Sequence, residues 1–253
     1  MILAILQARM GSTRLPGKVM LPLLGEPMLF RQIERIARAS RIDKLVVATT
    51  TDADDDILAG ECARRRIAVY RGSASDVLDR FVRAAEAFRP RAVVRLTGDC
   101  PLIDWRMIDL VVETYLKGGV QYASNIDPPT YPDGLDVEIV DYAALRIADA
   151  EALLPSQREH VTTFIREHKS RFPAANVSAE VDLSAHRWTV DEAADFALVR
   201  DIYENLYPRN ASFETADILE YLRAHPELTR LNRHIVRNAG LRQSEAADGI
   251  LVS

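Results

Sequence analysis

Apolar residues gather first at Ile2–Ala8, and similar short runs recur at Lys44–Thr50, Ile67–Arg71 and Ala92–Thr97. Each is the length of a strand, and a continuous rather than alternating apolar run predicts burial on both faces. Between the runs, apolar positions fall at helical spacing over Leu29–Ala39, from Asp54 onward, over Asp76–Phe88 and over Met107–Lys117. In Asp76–Phe88, for example, Val77, Leu78, Phe81, Val82, Ala85 and Phe88 share one face. Buried strands spaced by amphipathic helices predict an α/β fold with a mostly parallel sheet covered on both faces.

The rhythm changes after residue 120. Val120–Ser124 predicts a strand, Pro128–Gly134 a turn-rich loop, and Leu135–Val140 alternates as an exposed strand does. A helix is expected over Glu159–Glu167, a returning strand over Arg187–Val190 and a long helix over Glu192–Leu206. From His225 the chain is polar and weakly periodic, and Ser244–Ser253 is expected to be a loose tail. This divides the chain into one domain over 1–224, with an insertion at about 120–185, and a C-terminal extension over 225–253.

Composition narrows the function classes. At 253 residues the chain has room for one sizeable α/β domain. A net charge of -5 and a pI near 5.6 argue against a general nucleic-acid binder, which needs a basic face. Cys62 and Cys100 lie far apart and fit no metal-ligand spacing, so they point to a reducing compartment. The apolar start has no basic leader and breaks at Gln7 and Arg9, so no signal peptide or membrane partner is expected and the location is read as cytoplasmic.

Three segments carry candidate chemistry. The loop Arg9–Lys18 follows a buried strand and precedes a helix, which places it at the carboxyl edge of the sheet. It puts Arg9, Arg14 and Lys18 within ten residues, and Gly11, Ser12 and Gly17 allow close backbone approach, a combination suited to a polyphosphate. It is not a P-loop, because five residues separate its glycines and Val19 follows the lysine. The second segment, Leu96–Asp104, puts Asp99 at the end of the fourth strand, where a carboxylate can hold Mg²⁺. Asp104 reads better as a helix N-cap, and Cys100 as a small filler rather than a nucleophile. In the third, Asp191 is either an N-cap or a second metal ligand. Asp76 and Arg80 have the spacing of a surface pair, and Asp52–Asp56 that of a helix N-terminal cap region.

The loop Arg9–Lys18 resembles the signature of the cytidylyltransferases that activate sugar acids, the CMP–sugar-acid synthetases. Within that superfamily the chain resembles the spore coat polysaccharide biosynthesis protein F branch. Arg71–Ser73, Asp76–Arg80, Leu96–Ile103, Asp133–Glu138, Arg158–Thr162 and Trp188–Asp195 match in order, covering residues 1–206. The resemblance implies a Rossmann-like three-layer sandwich of the nucleotide-diphospho-sugar transferase type, with a mixed, mostly parallel sheet. It implies that CTP binds at Ala8, Arg9, Gly11, Ser12, Arg14, Lys18 and Gly98. Lys18, Arg14 and Asp99 would be catalytic, with Mg²⁺ on Asp99 and Asp191. Asp136, Glu138, Arg158 and His160 would face an acidic, sugar-acid-like acceptor, and the region after residue 120 would join a homodimer.

The expected reaction is attack of an acceptor oxygen on the α-phosphorus of CTP with release of pyrophosphate. It asks the protein for alignment and charge stabilisation rather than covalent chemistry. The alternative on the same fold is a glycosyltransferase that uses a nucleotide-sugar. A third is a nucleotide-binding regulator, which would have no need of the whole set Arg9, Arg14, Lys18, Asp99 and Asp191.

Overall fold

A computed structural model describes residues 1–251 of the chain. Its centre is a parallel sheet built from the four apolar runs. β1 (Ile2–Gln7) lies between β4 (Lys44–Thr50) and β6 (Ala92–Thr97), and β5 (Ala68–Gly72) pairs with the outer side of β4. A two-residue hairpin, β2 (Pro22–Leu23) with β3 (Glu26–Pro27), turns the loop after β1 into the first helix.

Three short strands extend the sheet beyond β6. They are β7 (Tyr122–Ser124), β8 (Glu138–Asp141) and β9 (Ala174–Asn176), giving the order β5-β4-β1-β6-β8-β7-β9. β8 runs antiparallel to both β6 and β7, so the sheet is mixed. Glu138, Ile139 and Val140 are all buried, which corrects the expectation of an exposed strand. The alternation there separates two covered faces: Ile139 joins one core cluster and Val140 the other.

Side chains of successive strand residues point to opposite faces. Ala4, Leu6, Val47 and Val94 meet α1 (Met28–Ile36), α2 (Asp56–Arg64) and α4 (Trp105–Leu116) on one face. Leu3, Ile5, Val46 and Val93 meet α3 (Val77–Glu86) and α5 (Tyr142–Glu151) on the other. The result is the expected three-layer α/β sandwich. A smaller apolar cluster around Trp188 packs α8 (Ala193–Leu206) and α9 (Thr215–Ala224) beside the hairpin.

Several expected elements differ. Arg187–Val190 is not a strand, because its backbone is bound by two loops. Trp188 and Thr189 donate to the Asp133 carbonyl and Val190 to that of Asp99. The helix expected over Glu159–Glu167 is two short ones, α6 (Pro155–Glu159) and α7 (Thr163–Glu167), broken where Val161 adopts φ 56°. The predicted tail is mostly helical: α10 (Ala239–Leu251) docks on α6, and the Ser156 amide donates to Asp248 Oδ1 at 3.0 Å. Val252 and Ser253 of that tail lie outside the described residues. No described helix is long and apolar enough to cross a membrane.

Candidate active site

Chain order reverses across β1: β4 and β5 lie on one side, and β6 on the other. The loops that leave β1 and β6 therefore open a crevice at their carboxyl ends, the position where open α/β sheets bind ligands. The Gly98 amide donates to the Gln7 carbonyl at 2.8 Å, which draws the two loops together. A β-carbon on Gly98 would stand 2.9 Å from the Ala8 side chain and 3.0 Å from the Gln7 carbonyl, so only glycine permits this approach.

A cavity of about 830 Å³ lies over the crevice. Ala8, Arg9, Ser12, Arg14, Lys18 and Gly98 line one part of it, while Asp136, Glu138 and His160 line another, with Asp99 and Asp191 also on its wall. The structure thus gathers most of the expected site residues in one compartment. Gly11 lies on the loop but outside the lining, and Arg158 is outside as well.

Lys18 joins the parts. Its Nζ donates to the Val190 carbonyl at 2.7 Å and to Asp191 Oδ1 at 2.9 Å, and lies 3.3 Å from Asp99 Oδ2. Burial favours the neutral amine, but Asp99 and then Asp191 outweigh it and keep the ammonium charged. Burial likewise works against the Asp99 anion, yet the Lys18 charge holds its carboxyl down to about 2. Arg14 Nη2 also reaches Asp191 Oδ1, at 3.0 Å.

Asp191 is not the cap of α8; Glu192 holds that position, with Asp195 accepting from the backbone amides of Asp191 and Glu192. Besides Lys18 and Arg14, the Asp191 carboxylate is positioned by Arg187, a buried residue with no expected role. Arg187 reaches Asp191 Oδ2 and Asp133 Oδ2 at 2.8 Å and Asp195 Oδ1 at 2.9 Å. Asp104 does cap its helix, accepting from the Arg106 amide at 2.9 Å. Gly134, at φ +108°, lets the Asp133 loop press on this hub, since a β-carbon there would lie 2.6 Å from the Thr189 nitrogen.

Asp55 lies in the run expected to cap a helix N-terminus. It stands at the N-cap position of α2 but makes no capping bond there with its side chain. Oδ1 accepts from the Met10 amide at 2.6 Å, while Oδ2 accepts from Thr49 Oγ1 and from both the amide and hydroxyl of Thr50. Burial would raise this carboxyl, but the Met10 amide and the threonine hydroxyls hold it below the usual range. Asp55 therefore fixes the start of the cationic loop to the end of β4. Nothing in a run of four acids within five residues singles it out; its partners come from β4 and the loop.

The acceptor-side residues divide. Asp136 pairs with Arg237 at 2.6 Å, and burial pushes its carboxyl up to about 7. His160 Nε2 lies 3.2 Å from Ser244 Oγ, and burial followed by the Arg95 charge lowers its pKa. Glu138 is 2% exposed and accepts from Arg95, Tyr122 and Thr162, so its carboxylate is already saturated by protein. Arg158 is a correction: it binds Asp76 and Asp149, clamping α6 to the N-terminus of α3. Asp76 is the α3 N-cap rather than the partner of Arg80, whose buried guanidinium donates to the Ser73 carbonyl. Cys100 is buried and its thiol is pushed up by that burial, as expected of a filler.

Among the described residues, no group of three or more His, Cys, Asp or Glu is arranged to hold a metal ion. Two carboxylates that share one cation are what the protein provides, at Asp99 and Asp191.

Residues 3–226 match the family model described as cytidylyltransferase. The chain is 34% identical to spore coat polysaccharide biosynthesis protein SpsF of Bacillus subtilis (strain 168), over 89% of this chain and 95% of that one. It is 39% identical to 3-deoxy-manno-octulosonate cytidylyltransferase of Anaeromyxobacter dehalogenans (strain 2CP-C), over 50% of this chain and 52% of the other. A solved cytidylyltransferase structure from Leptospira borgpetersenii aligns with a TM-score of 0.85 and 32% identity, covering 90% of this chain and 96% of that one. These likenesses favour nucleotidyl over glycosyl transfer.

Proposed function

Because the chain belongs to the cytidylyltransferase family, we propose that it transfers CMP from CTP to a sugar acid, releasing pyrophosphate, in the biosynthesis of a surface polysaccharide or glycoconjugate. The name of the Bacillus relative supports the polysaccharide setting, and that of the Anaeromyxobacter relative supports a sugar-acid acceptor. The observation that carries the reading is Lys18, whose ammonium lies against both Asp99 and Asp191 in the same cavity as the cationic loop.

In this reading Ala8, Arg9, Gly11, Ser12, Arg14, Lys18 and Gly98 form the nucleotide side. Arg14 and Lys18 offset the charge that grows on the departing β,γ-phosphates. Arg187 keeps Asp191 aimed at the reacting centre. Asp136 and His160 face the acceptor, with Glu138 orienting Arg95 behind them. Asp99 and Asp191 suit Mg²⁺, which commonly takes one or two protein carboxylates and fills its remaining positions with phosphate oxygens and water. When bound, the ion neutralises charge at the reacting phosphate. The family likeness also carries a homodimer and a cytoplasmic location into this proposal.

The test is pyrophosphate release by the full chain with Mg²⁺, each of the four NTPs and a panel of sugar acids. The expected result is release that requires both CTP and a sugar acid, and that stops with a chelator. Equal turnover with every NTP, or none with any acid, would overturn the reading.

A further inference from the structure

The last 25 described residues, 227–251, follow the stretch that matches the family model, yet part of this segment walls the cavity. Its anchors all fall outside the cationic loop. Asn232 is buried, and its Nδ2 donates to the Arg187 carbonyl at 2.9 Å and to Asp195 Oδ1 at 2.8 Å. Arg237 donates to Asp136 Oδ1 at 2.6 Å and to the Tyr131 carbonyl at 3.1 Å. On α10, Ser244 lies 3.2 Å from His160 Nε2 and donates to Glu159 Oε2 at 2.6 Å. Beside it, the exposed Gln243 lines the cavity.

We propose that residues 232–248 are the acceptor wall of the site, with Arg237 as its positioning residue and Gln243 as a contact that sets which sugar acid fits. The proposal rests on the cytidylyl-transfer reading above and adds the residues that select the acceptor.

Charge explains why Arg237 matters. Asp133, Asp136 and Glu138 bring three carboxylates to the cavity wall, an unfavourable surface for an acidic acceptor. Arg95 neutralises Glu138, while Arg237 pairs with Asp136 and lies 3.8 Å from Asp133. Removing Arg237 takes away the cation paired with Asp136 and the tie from this segment to Asp136 and the Tyr131 carbonyl, while Asn232 and α10 keep their own anchors. Arg237 bonds none of Arg9, Arg14 and Lys18, and Arg187 keeps its own pairs with Asp133 and Asp191, so the nucleotide side keeps its geometry.

The experiment measures pyrophosphate release by the full chain with CTP, Mg²⁺ and 3-deoxy-manno-octulosonate, alongside other 2-keto sugar acids. Arg237→Ala is expected to raise the acceptor KM tenfold or more while the KM for CTP stays within twofold. Arg237→Lys should restore most of the loss. Gln243→Ala should raise the acceptor KM at least threefold with an unchanged melting temperature, and it decides the question if Arg237→Ala fails to fold. If the wild type turns over but acceptor and CTP constants move together, or neither moves, the wall is overturned and cytidylyl transfer stands. If the wild type releases no pyrophosphate with any acid, the reading itself falls and the proposal with it.

Discussion

Lys18 and Asp191 meet at 2.9 Å although 173 positions separate them in the chain. The ammonium also touches Asp99 and the Val190 carbonyl, so one side chain draws together the loops after β1 and β6 and the turn before α8. Lys18→Ala is expected to lower kcat for pyrophosphate release about 100- to 1000-fold, the usual loss for one preorganised electrostatic contact. Steady-state kinetics on protein with a retained circular dichroism spectrum checks this, and near-normal turnover would remove Lys18 from the chemistry.

Asp55 acts on the same loop from below. Asp55→Ala strands the Met10 and Thr50 amides and two threonine hydroxyls around a side chain that is 1% exposed. The expected cost is about 4 kcal/mol or more, since each buried donor left unpaired costs about 1–3 kcal/mol. Thermal melting should fall by several degrees, and the KM for CTP should rise because the loop loses its fixed start. Unchanged CTP affinity would show that the loop holds its shape without this latch.

Arg158 supplies the opposite case. Arg158→Ala is expected to lower stability by about 1–2 kcal/mol through the lost contacts to Asp76 and Asp149, while both KM values stay within twofold. A selective rise in the acceptor KM would return Arg158 to the site.

Asp136 gives the pH dependence a sign. Its carboxyl rises from 3.8 to about 7 because of burial, with Arg237 opposing and Asp133 and Glu138 adding to the rise; Arg95 also opposes. The folded chain thus keeps a proton that the unfolded chain releases earlier. The stabilisation is full below the unfolded value and is lost as pH rises through about 7. Asp136→Asn should flatten that loss between about pH 5 and about pH 8. Because the side chain is 31% exposed, solvent screening limits the effect to about 1 kcal/mol. Urea unfolding at both pH values reads it out, and equal slopes for wild type and variant would exclude Asp136 as the source.

The parallel half of the fold was legible in the sequence because its signal is local. β1, β4, β5 and β6 are continuous apolar runs, and a residue at the end of such a run must lie at the sheet edge, which located Asp99. The later half was not, since its elements depend on distant partners. Arg187–Val190 has the composition of a strand, but its amides are taken by Asp133 and Asp99. Glu138 alternates as a solvent-facing residue does, yet Arg95, Tyr122 and Thr162 make its burial possible. Arg158 sits in a motif that suggested an acceptor role, and only the placement of Asp76 and Asp149 shows where its charge is used. Arg187, Asp55 and Arg237 carried no local signal at all.

The position of β8 has a consequence for how the chain assembles. β1, β4, β5 and β6 come from the first hundred residues, so the parallel half can form early during synthesis, as N-terminal regions do. β8 instead enters between β6 and β7, and Asp191 and Arg237 arrive later still. Lys18 thus shares the first hundred residues with one of its carboxylates, Asp99, and gains the second, Asp191, only late in synthesis. The cationic loop can take its place on the sheet edge from the early residues alone, held by Asp55 and Asp99, while the closing contact to Asp191 must wait for the turn before α8.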